Sequence, residues 1–170
     1  MSKAFLAFPV LLAALLCGLP TGRADETRPP IFNRNWTADS TTSMGITGDV
    51  KMTPESITFN NRITFRWRYI GDITPQPQGI GFDSFDRFSV YELIDAKPRA
   101  IKGGNHLCGH PKYTRDIPLP HYIAVSAYTG SLYDKLGMVV SSGEAPPKDA
   151  LYVKGDFCGS FGYSDEKSKR

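Results

Sequence analysis

Between Trp36 and Tyr69 apolar side chains recur at every second position, a period that predicts pleated strands with one face turned from water. Met44, Ile46, Gly48, Val50 and Met52 fall on one side of this pattern, and Thr47, Asp49, Lys51 and Thr53 on the other. Pro54-Glu55-Ser56 interrupts it, and Ile57-Thr58-Phe59 resumes it with the same alternation. Asn60-Asn61 separates that segment from Ile63-Thr64-Phe65. Asparagine tolerates the left-handed backbone of tight turns, so a β-hairpin is expected there. Its second arm alternates most clearly, with Ile63, Phe65, Trp67 and Tyr69 facing one way and Thr64, Arg66 and Arg68 the other. A helix would scatter those four large side chains around its axis, and β-branched and aromatic residues suit a pleated surface.

Further along, residues 74–86 form a Pro- and Gly-rich loop, and Arg87 to Ile94 reads as the next strand. Lys97 to Asp116 is mostly loop and carries Gly103-Gly104 and Cys108. Strands are expected at Tyr122 to Tyr128 and Leu136 to Ser141, joined across Thr129-Gly130-Ser131, and a last one at Tyr152-Val153 or Asp156 to Tyr163. Six to eight short strands without a convincing amphipathic helix predict an all-β fold. A small antiparallel barrel of lipocalin-like character is the first expectation and a two-sheet β-sandwich the alternative. The longer loops at a barrel mouth are then the default place for binding.

The first 24 residues change the setting. Lys3 supplies a positive start, Phe5 to Leu16 an apolar run of about a dozen residues, and Pro20-Thr21-Gly22-Arg23-Ala24 a small-residue cleavage region, the three parts of an export signal. The run is shorter than the roughly 20 residues a membrane-crossing helix needs. Acylation of Cys17 would make a lipoprotein, but Leu16 stands where a small residue is expected. The expected organisation is a signal peptide over residues 1–24, a flexible leader over 25–35, one β domain over 36–163 and a charged, fraying tail over 164–170. The destination is periplasmic or secreted, with no integral membrane segment after cleavage. Without Lys3 and Arg23 the chain keeps 18 Lys and Arg against 17 Asp and Glu, which argues against a nucleic-acid partner.

Cleavage also leaves two cysteines, Cys108 and Cys158, in a compartment where thiol pairs oxidise. A structural staple is the main reading, with a redox pair or a metal site as alternatives. The absent Cys-X-X-Cys spacing speaks against redox chemistry.

Trp36-Thr37-Ala38-Asp39-Ser40, Gly45-Ile46-Thr47-Gly48-Asp49-Val50, Ile57-Thr58-Phe59, Leu107-Cys108-Gly109 and Phe157-Cys158-Gly159 together resemble a group of small secreted bacterial proteins of unassigned function. The resemblance implies a periplasmic or secreted bacterial setting and a Cys108–Cys158 bridge, and it carries over no catalytic residue.

Candidate chemistry is sparse. His106 and His110 have the four-residue spacing of two ligands on one helix face, but their segment holds glycines and Pro111, and no Glu lies between them. Solvated loop histidines, available to a partner, are the better reading, and His121 is expected to pack or to cap a loop. Cys158-Gly159-Ser160-Phe161-Gly162 lacks the first glycine of a nucleophile elbow. Asp83 and Asp86 read as solvated loop carboxylates around Phe82 and Phe85. Asn35-Trp36-Thr37 fits the N-glycosylation pattern, which matters only in a eukaryotic secretory route. Arg66 and Arg68 share the outward face of the best strand and could present guanidinium groups to a partner's carboxylates, although polar residues belong on that face in any case. The expectation is an exported, non-enzymatic binding or inhibitor module without metal or cofactor. It recognises an envelope or extracellular protein partner through Arg66, Arg68, Phe82, Phe85, His106 and His110. The alternative is a carrier that holds a small apolar ligand in the barrel interior.

Overall fold

Asn60 and Asn61 adopt φ of 49° and 53°, the left-handed conformation a tight hairpin requires, and join β3 (Ser56–Phe59) to β4 (Ile63–Ile73) as the sequence predicts. The computed structural model describes residues 30–74, 85–110, 112, 115–148 and 155–165. The expected export signal with Cys17, the Tyr152-Val153 strand alternative and residues 166–170 of the tail lie outside them.

The remaining strands are β1 (Asn35–Ala38), β2 (Val50–Thr53), β5 (Phe88–Leu93), β6 (Tyr122–Thr129), β7 (Asp134–Ser141) and β8 (Phe157–Ser164). Each pairs antiparallel with the next and β8 returns to β1, closing an eight-stranded barrel. The all-β, lipocalin-like barrel is therefore the fold adopted, rather than the sandwich. Closure gives every strand a neighbour on both sides.

An eight-stranded barrel is just wide enough to be filled by side chains or to hold one small ligand. Here side chains occupy it: Trp36, Met52, Ile57, Phe59, Ile123, Met138, Val140 and Tyr163 are each 0 % exposed, which leaves no room for a water molecule beside them. Both indoles are satisfied, Trp36 Nε1 donating to Ile31 O and Trp67 Nε1 to Thr53 O, each at 3.0 Å. The two outer faces differ. Across β2, β3 and the first half of β4 the outward side chains are polar, Lys51, Thr58, Thr64, Arg66 and Arg68, whereas Phe88, Val90, Tyr122, Ala124 and Val139 form a second buried apolar cluster on β5 to β7, with Ile73 of β4 packed against it. Hence Tyr122 to Ala127 is buried at six successive positions, a continuous apolar strand rather than an alternating one.

Three expectations need correction. The period-two run does not make a strand of Met44 to Gly48. Ser43–Thr47 is a π-helical turn in which Met44 is half exposed, and strand pairing starts only at Val50. Hydroxyl groups hold this turn: Ser43 Oγ donates to Gly162 O at 2.8 Å, and Thr47 Oγ1 lies 2.7 Å from the Tyr163 hydroxyl. Gly48 releases the chain into β2 at φ 61°. Nor is the end of the leader loose. Ile31 and Phe32 pack on the core, Asn33 N donates to Met52 O, and Asn35 already belongs to β1. Finally, Ser164 lies in β8 and Asp165 is buried rather than frayed. Its carboxylate takes the Arg34 guanidinium, which also reaches Asp134 at 2.6 Å.

The meander places the β1–β2, β3–β4, β5–β6 and β7–β8 connections at one end of the barrel. Cys108, in the long β5–β6 connection, is disulfide-bonded there to Cys158 at the start of β8. Ile101 and Leu107 of the same connection are buried on the core, while Lys102 Nζ donates to Met44 O and Asn105 Nδ2 to Gly45 O.

Closing a loop of 50 residues restricts the unfolded chain by about 4 kcal/mol. C108A/C158A is expected to lose on the order of 3–4 kcal/mol in urea unfolding while keeping its sheet circular dichroism. At the other end, Arg34→Met removes the guanidinium that Asp134 and Asp165 share and should cost on the order of 2 kcal/mol. Adding Asp165→Asn should recover part of that loss, which a double-mutant cycle measures.

Candidate functional site

Arg66 and Arg68 project together from the outer face of β4, as the alternation requires. Each is nevertheless engaged within its own chain, Arg66 by Asp95 at 2.5 Å and Arg68 by Glu92. The anticipated cationic stripe is thus a row of ion pairs, with a carboxylate already opposite each guanidinium. Phe85 packs edge-on against Tyr128, with centroids 4.9 Å apart, and joins the outer apolar cluster. Phe82 and Asp83 lie outside the described residues, and Asp86 is exposed.

The histidines are less solvated than expected. His106 is half-buried under the β5–β6 connection, and its Nδ1 is buried without a hydrogen-bond partner. It lines a cavity of about 10 Å³ with Phe65, Arg99 and Leu107, a space of the size one water occupies. His110 Nδ1 accepts from Lys112 N at 3.0 Å. The local reason is the pair Gly103-Gly104, with φ of 58° and 82°, which turns the chain so that His106 N donates to Gly109 O in a tight loop rather than a helix.

A polar cluster closes the opposite end of the barrel. The bulge between Tyr69 and Gly71 shifts the register so that Asp72 faces Ser89. Asp72 accepts from Ser89 Oγ at 2.7 Å and pairs with Arg87. Burial alone pushes the Asp72 carboxyl up, but hydrogen bonds from Ser89, Arg87 and Tyr69 outweigh it and hold the group below the usual carboxylate range. Tyr91 stacks on Trp67 with centroids 4.2 Å apart, and Phe32 and Tyr69 meet it edge-on. Burial, with the charge of Tyr69 and of Asp72 adding, pushes the Tyr91 hydroxyl up to about 12. Burial also raises Tyr163 against the pull of Thr47. Asp72, Ser89, Arg87 and Tyr69 satisfy one another at this end.

A larger concavity among the described residues lies at the Cys108 end, on the outside of the barrel. Glu92 and Leu93 of β5, His121 and Tyr122 at the start of β6, and Glu144 beyond β7 line a cavity of about 250 Å³. Its walls are held by the backbone and by two side chains. Leu93 N donates to His121 O and His121 N to Ser141 O, both at 2.8 Å. His121 Nδ1 lies 2.9 Å from Gly143 O, and the Tyr122 hydroxyl donates to Glu144 O at 3.1 Å. Ser142 N donates to Asp156 O and ties the chain after β7 to the segment before β8.

The sequence expectation that His121 caps a loop is met by its bond to Gly143 O, but the role of Glu92 and Glu144 beside it is new. Glu92 was findable as an outward position from the alternation Val90, Tyr91, Glu92, Leu93. Glu144 had no sequence signal, because only the return of the chain after β7 brings it near β5.

The raised Tyr91 hydroxyl fixes an alkaline limit. A neutral form favoured by folding contributes stability that is complete below the unfolded value of about 10 and is lost as pH rises toward about 12. Urea unfolding of wild type and Tyr91→Phe across that window should show the steeper loss in wild type. No protein-family model, curated protein or solved structure matches the chain.

Proposed function

We propose that this protein is an exported, non-enzymatic binding or inhibitor module that recognises an envelope or extracellular protein partner through the loops at the Cys108 end of its barrel. The observation that carries this reading is the combination of a filled interior with a long connection fixed in place. The β5–β6 connection buries Ile101 and Leu107, is stapled by Cys108–Cys158, and hydrogen-bonds to the turn that holds Met44 and Gly45. A loop ordered before contact costs less to immobilise on binding. Met44 and Ile94 at this end are half exposed, which gives a partner apolar surface to cover.

A carrier of an apolar ligand in the barrel interior is the weaker reading, because Trp36, Phe59, Phe161 and Tyr163 occupy that volume. The disulfide supports a periplasmic or secreted setting. Among the described residues no helix is long and apolar enough to cross a membrane. Membership of the small secreted bacterial group is part of the proposal and rests on the Trp36–Ser40 and Gly45–Val50 motifs.

Immobilised mature chain should retain a discrete protein from an envelope or culture extract, displaced by free mature chain and retained less by C108A/C158A. Recovery of nothing above background over several ionic strengths would count against the module.

A further inference from the structure

We infer that the cavity between β5, β6 and the loop after β7 binds an organic cation, the ammonium or guanidinium group of a basic side chain on the protein partner. The inference rests on the binding-module reading and names the chemistry its partner presents.

Hydrogen-bonding capacity identifies the ligand. Gly143 O can only accept, so His121 Nδ1 is the donor in their bond, and the Nε2 of the neutral ring remains an acceptor. The Tyr122 hydroxyl proton is used on Glu144 O. The Glu92 carboxylate bonds to Arg68 through Oε2, and a carboxylate has capacity for several more donors. Glu144 is exposed, and among the described residues its carboxylate has no ion pair. What the lining residues offer a ligand is therefore acceptors and negative charge, with no Lys or Arg among them. A ligand that fits carries several donors and a positive charge: an ammonium has three N–H donors and a guanidinium five.

Size narrows the class. A volume of about 250 Å³ is below the roughly 300–1,000 Å³ of sites for drug-sized molecules, and suits one side chain. Among the described residues no three His, Cys, Asp or Glu side chains converge as a metal site, which favours an organic cation. The site is also built before the ligand arrives, since hydrogen bonds from His121 and Tyr122 hold the 143–144 wall against β6. Arg68 acts as an internal competitor, because its guanidinium sits on the carboxylate an entering cation would use.

The competitor gives the test a sign that a structural role does not share. The disulfide-bonded mature chain is titrated with N-acetyl-lysine amide, N-acetyl-arginine amide and the neutral N-acetyl-norleucine amide, followed by ¹⁵N–¹H correlation spectra. The two cations should give saturable shifts centred on residues 92–93, 121–122 and 143–144, the neutral analogue none. E92Q and E144Q should each weaken binding at least about fivefold by removing a charge that contacts the ligand. R68Q should tighten it several-fold by freeing Glu92. Spectral dispersion reports whether each variant is folded. Shifts that do not saturate, an equal response to norleucine, or weaker binding in R68Q would overturn the site. The extract capture separates the two claims. A partner retained equally by wild type and E92Q/E144Q removes the cavity as the docking point but keeps the module, whereas saturable cation binding with no captured partner supports the cavity and counts against the module.

Discussion

The pairing of β1 with β8 is the contact on which the rest of the molecule depends, because it turns a meander into a closed barrel. Its ladder is short, Thr37 opposite Ser164 and Ala38 opposite Tyr163. Side chains and loop backbone extend it. Gly162 O accepts from Asp39 N, Ser40 N and Ser43 Oγ, so the π-helical turn is bound to the outside of β8. A Cβ at Gly162 would lie 3.2 Å from Asp39 Oδ1, and the glycine permits this approach. At the other end of the seam Arg34 gathers Asp134 and Asp165, and its guanidinium lies 4.8 Å from the centre of the Trp36 ring. If the seam opened, two strand edges and the apolar interior would face water together. The seam is where the two ends of the described chain are joined.

Closure also explains why the interior and the loops divide their roles. A barrel this narrow, filled from several strands by Trp36, Phe59, Phe161 and Tyr163, has no volume left for a guest at its centre. In the proposed binding module, recognition then falls to the ends and the outside. One end is sealed by groups that satisfy one another, Asp72 with Arg87 and Ser89, and Tyr91 between Trp67 and Tyr69. The other is covered by residues 101–110 of the β5–β6 connection, which the disulfide ties to β8 and two hydrogen bonds tie to the turn at Met44 and Gly45. The cavity lined by Glu92, His121, Tyr122 and Glu144 lies at this same end.

The distribution of charge follows the same logic. Arg66, Arg68 and Arg87 are each matched by a carboxylate from a strand or turn beside them, so the surface near β4 and β5 is close to neutral. Such exposed pairs add little to stability. For the proposed cation site their effect is on specificity: a pair like Arg68–Glu92 can be exchanged for one with an incoming cation, whereas an unpaired arginine would repel it.

The order of residues alone specified the all-β class, the Asn60-Asn61 hairpin, the inward set Ile63, Phe65 and Trp67, though not Tyr69, which was expected with them and is half exposed, and the cysteines available for the staple. These depend on backbone preference and on alternation, and both are local. It misjudged Met44 and Ile46, whose spacing matches a strand although hydroxyl bonds to β8 hold their segment in a π-turn. It also treated Phe32 and Asp165 as loose ends, since their partners Tyr91 and Arg34 lie far away along the chain. Only the tertiary structure decided that Arg66 and Arg68 are neutralised and that Glu92, His121 and Glu144 share a cavity. Pairing across a closed sheet is set by register and by the return of distant loops, and neither leaves a mark at the individual residue.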